Sequence, residues 1–212
     1  MNSEKKDKDK DEDKTEVILD NITIRRGARL VLRDFSLAIK SGEAWAVQGG
    51  NGAGKTTLLR LLAGLVRPTM GCLRLIGAKN LAQAGHYLGH LDGLKNLRTV
   101  HEEIIYQAAL YGSSPPHPTK FLHILGLAEC APMPIGDLSA GQRRRLTLAR
   151  LLLAPRPIWL LDEPFTALDV QGCALVAGLV ATHIKKGGMA VVASHAPLNF
   201  ATHHLDLEEK NN

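Results

Sequence analysis

Hydrophobic and polar positions divide the 212-residue chain into stretches of different period. Residues 1–16 hold almost no apolar side chains and predict a disordered tail. The pattern changes at Val17. Val17-Ile18-Leu19, Ile22-Thr23-Ile24, Leu30-Val31-Leu32 and Phe35-Ser36-Leu37-Ala38-Ile39 are short runs of strand type. Arg25-Arg26-Gly27 and Ser41-Gly42 punctuate them as turns. Ala44-Trp45-Ala46-Val47 predicts a strand, and residues 57–63 predict a helix that Gly64 can cap. After a turn over residues 67–71, Cys72-Leu73-Arg74-Leu75-Ile76 predicts another strand, closed by Gly77.

The period then lengthens. Val100, Ile104, Ala108 and Tyr111 recur at helical spacing, and Thr99 with Glu102 fits a capping box at the start. Gly112 ends this helix, residues 113–118 predict a loop, and residues 119–125 a short helix ended by Gly126. A Leu-rich helix runs to Ala154. The strand candidates Ile158-Trp159-Leu160-Leu161 and Met189-Ala190-Val191-Val192-Ala193 follow. The reading is one α/β domain over residues 17–207, β-rich at its start and helical over about 96–154, with a C-terminal tail at 208–212.

Composition narrows the class. Apolar residues make up 45% of the chain, enough for a sizeable core. Aromatic residues are only 4%, which argues against a stacking platform for single-stranded nucleic acid. The formal net charge is +5, although the tail carries five lysines against seven acids. Cys72, Cys130 and Cys173 are odd in number and form no C-x-x-C pair, so they read as small buried thiols in a reducing compartment. No apolar run approaches the ~20 residues of a membrane span, and the charged start is unlike a signal peptide. A soluble, intracellular chain is expected, with any membrane part supplied by other subunits.

The chemistry concentrates at Gly49-Gly50-Asn51-Gly52-Ala53-Gly54-Lys55-Thr56-Thr57, which fits the phosphate-binding pattern G-x-x-x-x-G-K-[ST]. Glycines let successive N–H groups point into one concavity, and the helix that follows presents its positive end there. Lys55 would reach the β- and γ-phosphates of a nucleotide and the Thr56 hydroxyl would hold Mg²⁺. The bland alternative, a Gly-rich turn, does not explain the strand before the loop and the helix after it.

Two further constellations follow. Leu138-Ser139-Ala140-Gly141-Gln142 opens the Leu-rich helix. Ser139 and Gln142 fit a capping box, and the same exposed helix start is a second phosphate-binding surface. The apolar strand at 158–161 ends in Asp162-Glu163-Pro164. Two adjacent carboxylates at a buried strand end are costly without a cation. Asp162 would hold Mg²⁺ through water and Glu163 would act as general base. His195, just after the strand at 189–193, would contact the γ-phosphate.

In this order, GGNGAGKT, LSAGQ, IWLLDEP, the ALD segment at 167–169 and His195 resemble the ATP-binding cassette (ABC) ATPases, over residues 17–207. The resemblance implies a P-loop fold with a RecA-like core, an N-terminal antiparallel β subdomain and a helical subdomain. It implies ATP and Mg²⁺ as ligands. It also implies a head-to-tail homodimer, with each ATP between residues 49–56 of one subunit and the LSAGQ residues of the other. That arrangement accounts for two phosphate-binding surfaces on one chain.

LSAGQRRRLTLARLLL, LDEPFTALDVQG, the later GGM and YLGHLDGLK, taken as a loop, resemble the haem exporter ATP-binding subunits of bacterial cytochrome c maturation. Their role implies a peripheral ATPase on the cytoplasmic face of the inner membrane. It would pair with integral membrane subunits and couple hydrolysis to haem export or delivery. Two positions depart from the general ABC pattern. No Gln lies between Gln83 and Gln107, and His90 stands in its place, near Mg²⁺ and water, as in the haem exporter group. The adenine-stacking aromatic is absent, and Arg26 stands near that position. His86 and His90 are four apart, but no further haem ligand is suggested, so haem is not expected to bind this chain directly. The alternatives are another ABC transporter, a soluble ABC protein acting on ribosomes or DNA, and a P-loop kinase or GTPase. One cassette without a heptad run argues against the soluble class, and LSAGQ against the last.

Overall fold

The computed structural model describes residues 15–112, 117 and 119–208. Residues 1–14 of the expected tail, most of the loop at 113–118 and residues 209–212 lie outside them. The N-terminal strands form a three-stranded antiparallel sheet in the order β2-β1-β4, with β1 Glu16–Arg26, β2 Arg29–Lys40 and β4 Met70–Ile76. A five-stranded sheet, parallel throughout, has the order β5-β6-β7-β3-β8. Its strands are β3 Ala44–Gln48, β5 Gly85–Leu88, β6 Ile158–Asp162, β7 Met189–Ala193 and β8 His203–Asp206. The helices are α1 Lys55–Leu62, α2 Leu81–Ala84, α3 Val100–Leu110, α4 Lys120–Ile124, α5 Ala140–Thr147, α6 Ala149–Leu153 and α7 Val170–Lys185.

The central strands β6 and β7 are buried at every residue, which is why they read as unbroken apolar runs. Alternate residues serve opposite faces. Ile158, Leu160, Met189, Val191 and Ala193 pack with α1 and the antiparallel sheet. Trp159, Leu161, Ala190 and Val192 pack with the helices of residues 100–153 and α7. The sheet thus joins two cores, and the segment read as helical closes one of them. Both capping boxes form: Thr99 with Glu102 at α3 and Ser139 with Gln142 at α5.

At the amino ends of the parallel strands, rings stack. Trp45 lies on His203 at 4.5 Å between centroids, and Trp159 on His183 at 3.9 Å. His86 Nε2 is 2.6 Å from the Ala154 carbonyl, and its ring meets Tyr111 edge-on. Burial pushes His86 down to about 4, with the Ala154 carbonyl opposing and the Arg156 charge adding. Burial also lowers His183, against the pull of the Pro157 and Met189 carbonyls.

Several boundaries differ from expectation. β1 begins at Glu16, so Thr15 and Glu16 are not tail: the Thr15 carbonyl accepts bonds from the Ser41 N–H and hydroxyl. Arg25 and Arg26 belong to β1 and leave the turn to Gly27 and Ala28. Met70 and Gly71 belong to β4. Tyr87 and Leu88, read as loop, lie in β5, which pairs with β6. Cys72 is exposed rather than buried, because it lies on the outer sheet. Glu208 is not loose tail: its carboxylate accepts the Gly50 N–H at 2.7 Å.

Candidate functional site

The site is assembled at the carboxyl ends of β3, β6 and β7. β3 runs between β7 and β8 and delivers the loop at 49–54 to the edge of the sheet. Gly49, Gly52 and Gly54 have φ of 133, 84 and 109°, backbone that side chains resist. At Gly49 and Gly54 space is also short: an added Cβ would lie 2.9 Å from Ala53 Cβ and 3.1 Å from Val31 Cγ1. Gly54 is the N-cap of α1 and supplies no side-chain cap, so the first-turn N–H groups rely on a partner outside the helix. Lys55 is buried, and its ammonium folds back over the loop, donating to the Gly49 carbonyl at 2.6 Å and to Gly50 at 3.3 Å.

A cavity of about 430 Å³ opens beside this loop. It is lined by Gly50, Asn51, Gly52, Gly54, Lys55, Thr56, Thr57 and Arg26, and by His90, Asp162, Glu163 and His195. Residues far apart in sequence are thus brought to one place. Two expected loop residues face elsewhere. Gly49 contributes its carbonyl to Lys55, and Ala53 lines a neighbouring hollow. Arg29 also lines the cavity and was not anticipated. Its guanidinium donates to the Gly52 carbonyl at 2.9 Å.

Asp162 ends β6, is 3% exposed, and accepts a 3.4 Å bond from the Tyr87 hydroxyl. Burial pushes Tyr87 up, and the Asp162 charge adds to it, so the phenol keeps its proton. Glu163 has φ of 51°, a left-handed conformation that costs a non-glycine residue about 1 kcal/mol or more. Its N–H donates to the Ala193 carbonyl, fixing it to β7. Its Oε1 is buried without a hydrogen bond, and His195 Nε2 lies 3.4 Å away in a poor orientation for one. A cavity lined by Lys55, Thr56, the glycine-rich loop and Glu163, whose Oε1 is left without a hydrogen bond, fits a nucleotide with its metal and water. No group of three or more His, Cys, Asp or Glu among the described residues forms a metal cage.

Leu138, Ser139, Ala140, Gly141 and Gln142 do not line this cavity. Ser139 is exposed, and Ala140 lines a separate hollow with His90, Asp92, Glu163 and Ala167. Gly141 sits against the Ala167 carbonyl, 2.9 Å from where a Cβ would stand. His86 and His90 are separated: His86 is buried in β5 and His90 lines the nucleotide cavity.

A parallel sheet, a phosphate loop feeding a helix, and an acidic strand end opposite it define a P-loop nucleoside triphosphatase. Comparisons make the assignment specific. The ABC transporter family model matches residues 32–166. The cytochrome c biogenesis ATP-binding export protein CcmA of Rhizobium meliloti (strain 1021) is 44% identical over 193 residues, covering 87% of this chain and 93% of that one. The protein of the same name from Rhodopseudomonas palustris (strain HaA2) is 44% identical over 183 residues, covering 85% and 92%. The ATP-binding cassette MJ0796, solved as a dimer with ADP and Pi in a post-hydrolysis state, shares the fold. Its TM-score is 0.78 at 24% identity, over 92% of this chain and 95% of that one. The chain belongs to the ABC transporter ATP-binding family, in the group of the cytochrome c biogenesis ATP-binding export proteins, and it is an ATPase. No helix among the described residues is long and apolar enough to cross a membrane.

Proposed function

We propose that this chain is the ATP-hydrolysing subunit of a membrane complex that exports or delivers haem for cytochrome c biogenesis. It works as a homodimer at the cytoplasmic face of a bacterial inner membrane, bound to integral membrane subunits, and does not itself bind haem or nucleic acid. The observation that carries the ATPase part is the convergence of Lys55, Thr56, Asp162, Glu163 and His195 on one cavity. The role in cytochrome c biogenesis rests on the 44% identity to the cytochrome c biogenesis ATP-binding export proteins over most of the chain, and haem as cargo is what the resemblance of the sequence motifs implies.

The residues divide the work. Lys55 and the N–H groups of the loop hold the β- and γ-phosphates, and Arg26 stacks on the base. The Thr56 hydroxyl, and Asp162 through water, would hold Mg²⁺, which would supply positive charge against the phosphates. Glu163 Oε1 takes a proton from the attacking water, and His195 contacts the γ-phosphate. His90 stands near the same water. Ser139–Gln142 of the partner subunit would close over the nucleotide. The Ser139 Oγ accepts the Gln142 N–H at 3.2 Å, which leaves its proton free to donate to a phosphate. Closure on ATP and reopening after hydrolysis would move the membrane subunits.

The test is to purify the Glu163→Gln protein from membranes of its own organism with Mg-ATP and identify the subunits that accompany it. Haem-handling membrane subunits support the reading. A different permease keeps the ATPase and removes the haem assignment. Ribosomes or DNA-bound proteins without a membrane subunit overturn it.

A further inference from the structure

Helix α5 carries three consecutive arginines, Arg143, Arg144 and Arg145, that the sequence does not distinguish, and the structure gives them different tasks. Arg143 is partly exposed, donates twice to Asp92 Oδ2, and also reaches Asn96 and the Ile135 carbonyl. Arg145 reaches the carbonyls of Leu125 and Gly126. Arg144 is 9% exposed, and every hydrogen bond its guanidinium makes among the described residues goes to a backbone carbonyl. It donates to Asp162 O at 2.9 Å, Glu163 O at 2.8 Å, Pro164 O at 3.4 Å and Gly89 O at 3.1 Å.

A buried cation without a carboxylate bonded to it is a costly choice for packing alone, and an apolar side chain would fill the space at less cost. Burial lowers Arg144 from the ordinary guanidinium range, against the pull of the Asp162 charge. What the guanidinium provides is a rigid planar fork that fixes several acceptors in one geometry. Three of its acceptors are the consecutive carbonyls of the turn that carries the orphaned Glu163 carboxylate at φ of 51°. The fourth belongs to Gly89, next to His90.

We propose that Arg144 is a positioning residue for ATP hydrolysis. It fixes the left-handed turn bearing Glu163, and the start of the His90 loop, to the first turns of α5, so that these elements move as one piece. The helix whose N-terminus would meet the partner subunit's nucleotide is thereby tied to the general base of its own site. The proposal rests on Glu163 being that base.

The experiment is a double-mutant cycle on the full-length chain, with single-turnover ATP hydrolysis and binding of a fluorescent ATP analogue as readouts. Arg144→Met should lower the hydrolysis rate by about 30- to 100-fold, since a misplacement of ~1 Å can cost ~10²-fold. Its affinity for the analogue should stay within about threefold of wild type, because the hydrogen bonds of Arg144 go to Gly89 and residues 162–164 and not to the phosphate loop. Arg144→Lys, which keeps the charge but not the fork, should recover part of the rate. It also supplies the reading if Arg144→Met does not fold. With Glu163→Gln in place, adding Arg144→Met should lower the residual rate by no more than about twofold, because the group it positions is gone. Wild-type hydrolysis by Arg144→Met and Arg144→Lys, or losses that multiply in the double variant, would overturn the proposal. Hydrolysis by Glu163→Gln at the wild-type rate would instead remove the base assignment on which the proposal rests.

Discussion

The two ends of the parallel sheet carry similar side chains and use them oppositely. At the carboxyl ends, His90 and His195 are exposed beside Asp162 and Glu163, around a cavity that the glycine-rich loop also lines. At the amino ends, His86 is buried and bonded to the Ala154 carbonyl, His183 is half-buried and stacked on Trp159, and burial disfavours the charged form of both. The direction of the strands explains the difference. Helices that follow parallel strands start at the carboxyl ends, so their positive termini and unpaired N–H groups gather there. An imidazole at that end is open to a ligand in the cavity. The same ring at the other end is a flat plate whose Nε2 meets backbone carbonyls.

That contrast can be broken in four ways. The largest effect belongs to Glu163→Gln, which should lower kcat for ATP hydrolysis about 10³-fold while leaving ATP affinity within a few-fold, read by phosphate release and nucleotide titration. Next, Lys55→Ala should raise the Kd for ATP about 100-fold, by loss of a charge-assisted contact to phosphate. Equal affinity in that variant would remove the cavity from nucleotide binding.

The third change strikes the opposite end. His86 has a folded-state value near 4, below its ordinary 6.5, so the unfolded chain binds a proton that the native chain refuses. Stability from this group is therefore complete above about pH 6.5 and falls as pH drops toward 4, by roughly 2 kcal/mol at pH 5. Urea unfolding at pH 7 and pH 5 should show the loss, and His86→Gln should flatten it. The smallest effect is Ser139→Ala, which removes an N-cap worth about 1 kcal/mol. It should weaken ATP-driven dimerisation about tenfold, by light scattering, and leave the affinity of one chain for ATP unaltered.

Much of the carboxyl end was legible because its chemistry is local. The phosphate loop is one continuous segment, and Asp162 and Glu163 end a five-residue strand whose apolar run announces it. Both capping boxes are four-residue patterns that formed as read. What escaped depends on tertiary contact. β5 is four residues, Gly85–Leu88, too short to show a period, and β8 is an edge strand, His-His-Leu-Asp, with a polar surface. Arg29 belongs to no motif, and only the folding of the loop against it brings its guanidinium to the Gly52 carbonyl. Arg144 sits between two other arginines, and only the approach of the β6 turn decides which of the three is buried. Glu208 gives no signal at all, since its partner Gly50 is 158 residues away.

The stacked rings at the amino ends have an optical consequence. The chain has two tryptophans, and each lies flat on an imidazole: Trp45 on His203 and Trp159 on His183. Indole emission is sensitive to such a neighbour, so the protein carries two intrinsic fluorescent gauges. Trp45 is in the strand that becomes the phosphate loop, and Trp159 is in the strand that ends at Asp162. Strand movement on nucleotide closure would change ring overlap and hence the emission, allowing the cycle to be followed in the unlabelled protein.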